Sequence, residues 1–178
     1  MRRYEVWTLA VIILILVSPC LAQSGKDKLV GTWRLVAIED PSPSKLFPDF
    51  NPIGYIMYDS TGHLSMQIIR RSDRPKFASG NRAEGTQEDV RTAFLGYGAY
   101  FGTYEVNEKE GIVIHHLEGA LFPNDVGKDE IRYYEFSSND RIILYVTRIV
   151  DGKLVPKSSC PRRLIWERGA GKMNVLPS

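Results

Sequence analysis

His115 and His116 stand side by side, with Glu118 two positions further on. An imidazole with a carboxylate partner can donate, accept or move a proton near neutral pH, so this triplet is the obvious place to look for acid/base or ligand-reading chemistry. In an extended chain successive side chains point to opposite faces. His116 and Glu118 then share a face with Ile112 and Ile114, and His115 shares the other with Val113 and Leu117. Both faces are half apolar, and the sequence does not choose between them. A metal needs three or more converging ligands. His116 and Glu118 supply two at most, and the one remaining histidine, His63, sits beside a turn, so no metal is expected. The alternative is structural, with the imidazoles hydrogen-bonded to neighbouring strands.

Seven tyrosines (Tyr55, Tyr58, Tyr100, Tyr104, Tyr133, Tyr134, Tyr145) fall in segments that read as strands, along with Gln67, Glu105 and Arg132. An apolar cup carrying a few hydroxyls and one cation suits a carboxylated or hydroxylated apolar molecule. The candidate ligand-binding residues are therefore Tyr104, His116, Glu118, Arg132 and Tyr134. Any single Tyr is equally at home in a core or at a rim, because it is an ordinary strand former. Trp33, in Gly31-Thr32-Trp33, and Trp166, in Trp166-Glu167-Arg168, bracket the domain. If first and last strands are neighbours, these large aromatics, with Arg168 or Arg34 stacked across a ring, would seal one barrel end. No nucleophile elbow, phosphate-cradling glycine loop, zinc-cysteine spacing or dinucleotide fingerprint is present, and no cofactor is expected.

The elements that must position these residues are eight short extended segments broken by turn chemistry. They span 29–39, 54–58, 63–70, 100–106, 112–118, 130–136, 141–148 and 163–168. One helical pattern lies between the third and fourth: Thr86 is a capping residue, Glu88 and Asp89 suit the first turn, and Val90, Ala93, Phe94 and Tyr97 share a face. Asp59-Ser60-Thr61-Gly62 makes the clearest hairpin turn. Pro41 to Pro52, with four prolines, reads as a long loop across a barrel mouth, and 149–162 reads as another loop. Short strands with mostly tight connections predict an all-β fold: a closed antiparallel up-and-down barrel of about eight strands with one short helix.

The ends have their own chemistry. Arg2 and Arg3, an apolar run from Val6 to Val17, and Cys20-Leu21-Ala22 read as a signal peptide over 1–22, too short to span a bilayer. An exported protein, periplasmic or secreted, is expected, starting at Gln23. An uncleaved anchor or lipidation at Cys20 are the alternatives, Pro19 making a poor lipobox. A linker over 23–28, a barrel domain over 29–168 and a flexible tail over 169–178 complete the reading, with no stable membrane insertion once the signal is removed. Losing Arg2, Arg3 and Glu5 takes the formal charge from +2 to +1, and that near-neutral balance gives no reason to expect nucleic acid. Cys160 alone remains, so a free, incidental thiol is expected and no internal disulfide.

The chain resembles the lipocalin-like domain proteins of bacteria and fungi. The resemblance is carried by Leu29-Val30-Gly31-Thr32-Trp33-Arg34-Leu35, Gly54-Tyr55-Ile56-Met57-Tyr58, Ala99 to Val106, His115-His116-Leu117-Glu118-Gly119, Leu121-Phe122-Pro123-Asn124 and Leu164-Ile165-Trp166-Glu167-Arg168. Gly31-Thr32-Trp33 is similar to the Gly-x-Trp signature of lipocalins, and Asp125 stands where the family pattern has an aromatic. The resemblance implies a lipocalin-type barrel and permits carriage of one small apolar ligand. It equally permits cofactor-free cyclase or isomerase chemistry, with His116 and Glu118, or Tyr104, as acid and base. A filled barrel acting only as an interaction module is the third reading. Oligomeric state is open.

Overall fold

The computed structural model describes residues 24–40, 52–70 and 74–169. The expected signal segment, most of the Pro41–Pro52 loop and the tail beyond Gly169 lie outside the described residues. In chain order the elements are α1 (Gly25–Leu29), β1 (Gly31–Glu39), β2 (Ile53–Tyr58), β3 (His63–Ile69), α2 (Gln87–Leu95), β4 (Tyr97–Asn107), β5 (Ile112–Ala120), β6 (Asp129–Ser138), β7 (Arg141–Val146), β8 (Ile149–Val150), β9 (Lys153–Leu154) and β10 (Arg163–Arg168). Eight strands close into an antiparallel barrel in the order β1-β10-β7-β6-β5-β4-β3-β2, as the turn spacing predicts. Closure is made by β1 on β10, from Trp33 opposite Arg168 to Glu39 opposite Arg163, with a bulge between Leu35 and Ala37.

Alternation along each strand decides what fills the barrel. Trp33, Leu35, Ile56, Tyr58, Leu64, Tyr104, Val113, Ile142, Leu144 and Trp166 are buried and pack as one cluster. Each such side chain contributes about 1.5–3 kcal/mol of apolar burial. The cluster fills one end of the barrel, where the start of β1 meets α1. There the last carbonyls of α1 lack helical partners, as at any helix C-terminus. The Trp33 indole N–H donates to Leu29 O at 2.7 Å, and Arg168 donates to Val30 O at 2.9 Å and Lys28 O at 2.7 Å. The Arg168 guanidinium lies 4.3 Å over the Trp33 ring. Gly31 has φ +137, a backbone conformation that calls for glycine, and the Arg168 guanidinium passes close to where a Cβ would stand.

Two segments differ from the sequence reading. The stretch expected as a linker is mostly the helix α1, started by the Ser24 hydroxyl accepting from Asp27 N, and it ends at a fully buried Leu29 that was expected in the first strand. The 149–162 stretch contains the hairpin β8–β9, turned by Asp151 (φ 51) and Gly152 (φ 71). Two consecutive positive φ values are what the tightest hairpin turn requires. The Cys160 thiol is buried against Pro156 O.

Candidate ligand-binding site

The other end of the barrel is not filled. A cavity of about 420 Å³ opens where β1, β3 and β7 end and β4, β6 and β10 begin, the end opposite Trp33. Much of its wall is apolar (Ile38, Met66, Ile68, Leu117, Val146 and Leu164), and Arg70 and Arg162, the latter 3.4 Å from Asp40, also line it. Phe94, Leu95 and Tyr97, at the junction of α2 and β4, edge the mouth, together with Leu121, Phe122 and Asp125 from the β5–β6 connection. The helix is set there by a reciprocal cap. The Thr86 hydroxyl accepts from Asp89 N and the Asp89 carboxylate accepts from Thr86 N. Its apolar side is not absorbed into the core, since Val90 and Phe94 remain exposed.

Polar groups converge at the inner end of this cavity. Arg132 and Glu130 lie two residues apart on β6, both face inward, and form an ion pair of 2.7 Å. Arg132 also donates to Ile131 O at 2.9 Å. Beside them Tyr100 Oη lies 2.9 Å from His115 Nδ1, and Tyr58 Oη lies 2.8 Å from His115 Nε2. His115 is fully buried. Burial, helped by the charge of Arg132, holds its pKa well below the ordinary imidazole value, so the ring is neutral. Burial also raises both phenols, Tyr100 to about 12 and Tyr58 well above its usual value. The result is a neutral Tyr–His–Tyr chain next to a self-compensated ion pair. Such a set orients a polar group by hydrogen bonding and carries no net charge of its own. Among the described residues, no three His, Cys, Asp or Glu side chains converge as a metal site would require.

The sequence model of the lipocalin-like domain matches residues 30–169, nearly the whole described barrel. The chain belongs to the lipocalin-like domain family. Among curated proteins, none matches significantly. Solved structures similar to it include the siderocalin Ex-FABP, described as having dual ligand specificities, at 11% identity, 79% of this chain, 70% of that one and a TM-score of 0.33. A point mutant of the fluorescent protein UnaG is similar at 11% identity, over 82% of this chain and 99% of that one, with a TM-score of 0.35.

The lipocalin-like barrel distributes the sequence candidates over three places. Arg132 lines the cavity. Tyr104 and Tyr134 are interior but belong to the filled part: the Tyr104 hydroxyl donates to Asp59 O at 2.8 Å, and Tyr134 packs edge-on to Phe136. His116 and Glu118 are on the outer surface. His116 Nδ1 lies 2.7 Å from Asp129 Oδ1 and its Nε2 3.9 Å from Glu105 Oε1. Glu118 is the extra residue of a bulge, skipped when pairing passes from Gly102–Leu117 to Phe101–Gly119. Register explains the assignment. His115 pairs with Tyr104 and Glu130, both inward, while His116 pairs with Thr103 and Asp129. The acid/base pair His116–Glu118 therefore does not face the cavity. Gly31, Trp33 and Arg168 form the sealed end, and Trp166 is interior against Leu35 and Ile142. Tyr100 and Glu130 line the cavity, with His115 and Tyr58 buried behind Tyr100, and none of the four was among the ligand-binding candidates chosen from sequence. Only the strand pairing would have marked them.

Proposed function

We propose that this chain is an exported carrier that holds one small, largely apolar molecule in the open end of its barrel, with a neutral oxygen-bearing group at the inner end. The cavity supports the reading: about 420 Å³ is within the range of small-ligand sites, and much of its wall is apolar, with a few convergent polar groups. At the inner end of the cavity, charge balance supports a neutral head over a carboxylate. Arg132 is already paired with Glu130, so an anion would have to displace that partner. Displacement of an environment-sensitive dye by retinol, menadione and decanoate tests this. Saturable one-to-one competition by the two uncharged compounds, at least tenfold stronger than by decanoate, is the expected result. Competition by none of the three, or by decanoate alone, contradicts it. Export is tested separately by N-terminal sequencing of the mature protein from its host, with Gln23 expected as the first residue.

An enzymatic reading retains one supporting observation, the contact of the cavity-lining Tyr100 with the buried His115 behind it. Burial keeps the imidazole a weak base and the phenol a weak acid, so near neutral pH neither ionises readily. A fixed hydrogen-bonding array suits binding better than proton transfer.

A further inference from the structure

The hydrogen bonds around His115 have a consequence beyond the carrier reading, on which its ligand half rests. A neutral imidazole has one N–H and one bare nitrogen, and each phenol carries one hydrogen and can accept another. Tyr58 is buried, is not part of the cavity wall, and its hydroxyl has His115 Nε2 as its only partner among the described residues. If Nε2 carried the hydrogen, the Tyr58 O–H would be left buried without an acceptor, which is costly. If Nε2 is bare, Tyr58 donates to it and is satisfied. The hydrogen then sits on Nδ1 and is donated to Tyr100 Oη, 2.9 Å away. Tyr100, unlike Tyr58, lines the cavity. Its own O–H is thereby released from His115.

We infer that His115 is locked as its Nδ1–H tautomer by Tyr58, that this makes Tyr100 an obligate hydrogen-bond donor into the cavity, and that the ligand presents an oxygen acceptor, a ketone, quinone or aldehyde carbonyl, to Tyr100. His115 and Tyr58 are positioning residues and do not touch the ligand. The device is a relay of hydrogen-bond direction: a sealed phenol fixes the ring, and the ring fixes the exposed phenol. Tyr100 is thus polarised by the donor behind it, which strengthens the bond it gives.

Two measurements on the full-length barrel test this. In ¹⁵N-labelled protein, long-range ¹H–¹⁵N spectra should show His115 Nδ1 as a protonated, pyrrole-type nitrogen and Nε2 as a bare, pyridine-type one. The reverse pattern overturns the tautomer. Binding is then compared for 2-acetylnaphthalene and 2-ethylnaphthalene, of nearly equal shape, one with a carbonyl where the other has a methylene. The wild type should prefer the ketone about fivefold, in keeping with one net hydrogen bond. Tyr100→Phe should abolish the preference, so that the two compounds bind within about twofold of each other. Equal binding of the two compounds by the wild type overturns the acceptor rule while leaving the carrier reading intact. Binding of neither compound counts against the carrier reading and takes the acceptor rule with it, and the tautomer is still decided by the spectrum.

Discussion

His115 is where pH reaches the fold. Buried and neutral in the folded state, it takes up a proton more readily when unfolded, its folded pKa being depressed. The unfolded chain therefore binds more protons between the ordinary value near 6.5 and the lower folded value, and stability falls as pH drops through that window. The loss approaches about 1.4 kcal/mol per pH unit for this one group. Urea midpoints measured from pH 7 to pH 5 should fall faster for the wild type than for His115→Gln, which cannot titrate. Parallel curves would contradict the buried neutral assignment. Tyr58 and Tyr100 act at the other extreme. Their folded pKa values are raised, so their contribution is present below pH 10 and is lost as pH rises above it. At this scale the sequence was least legible. His115 and His116 are identical in type, each on a half-apolar face, and only their cross-strand partners separate the interior one from the surface one. Arg132 was legible because a lone cation in a strand of tyrosines has few surroundings that suit it.

At the scale of elements, α1 and β10 jointly close the filled end. Arg168→Met removes the donors to Lys28 O and Val30 O together with the cation over Trp33. It should cost about 2–3 kcal/mol, read from chemical denaturation, and Arg168→Lys should recover little because an ammonium cannot make the forked contact. A loss below about 0.5 kcal/mol would show that α1 is merely draped on the barrel. Gly102 matters for a different reason. A Cβ there would overlap the backbone carbonyl of His116, and that neighbour cannot rotate away. Gly102→Ala should destabilise by about 1–3 kcal/mol through overpacking where β4 crosses the β5 bulge. The count and order of the eight barrel strands were legible, since Asp59 to Gly62, Asn107 to Gly111 and Ser137 to Asp140 each announce a turn. Boundaries were less so. The five residues of α1 are too few for a helical period to show, and the Asp151-Gly152 signal was hidden inside a longer polar stretch.

For the whole molecule, the barrel divides its length between stability and binding. Large aromatics fill the end at Trp33, and smaller aliphatic side chains leave the other end hollow. Filling the hollow should therefore cost binding without costing the fold. Leu164→Trp, at the cavity wall, is expected to keep the unfolding free energy within about 1 kcal/mol of wild type while losing at least tenfold in ligand affinity. Barrel closure was readable from strand number and spacing. The position of the hollow was not, because it depends on which face of each strand turns inward, and that is settled by register. The most direct test of the central claim is a methyl-detected NMR titration of the wild type with 2-acetylnaphthalene. Saturable one-to-one shifts confined to Ile38, Met66, Ile68, Leu117, Val146 and Leu164 are the expected result. Shifts spread over the exposed methyls of Met57, Ile149 and Val150, with the interior set unmoved, would contradict it.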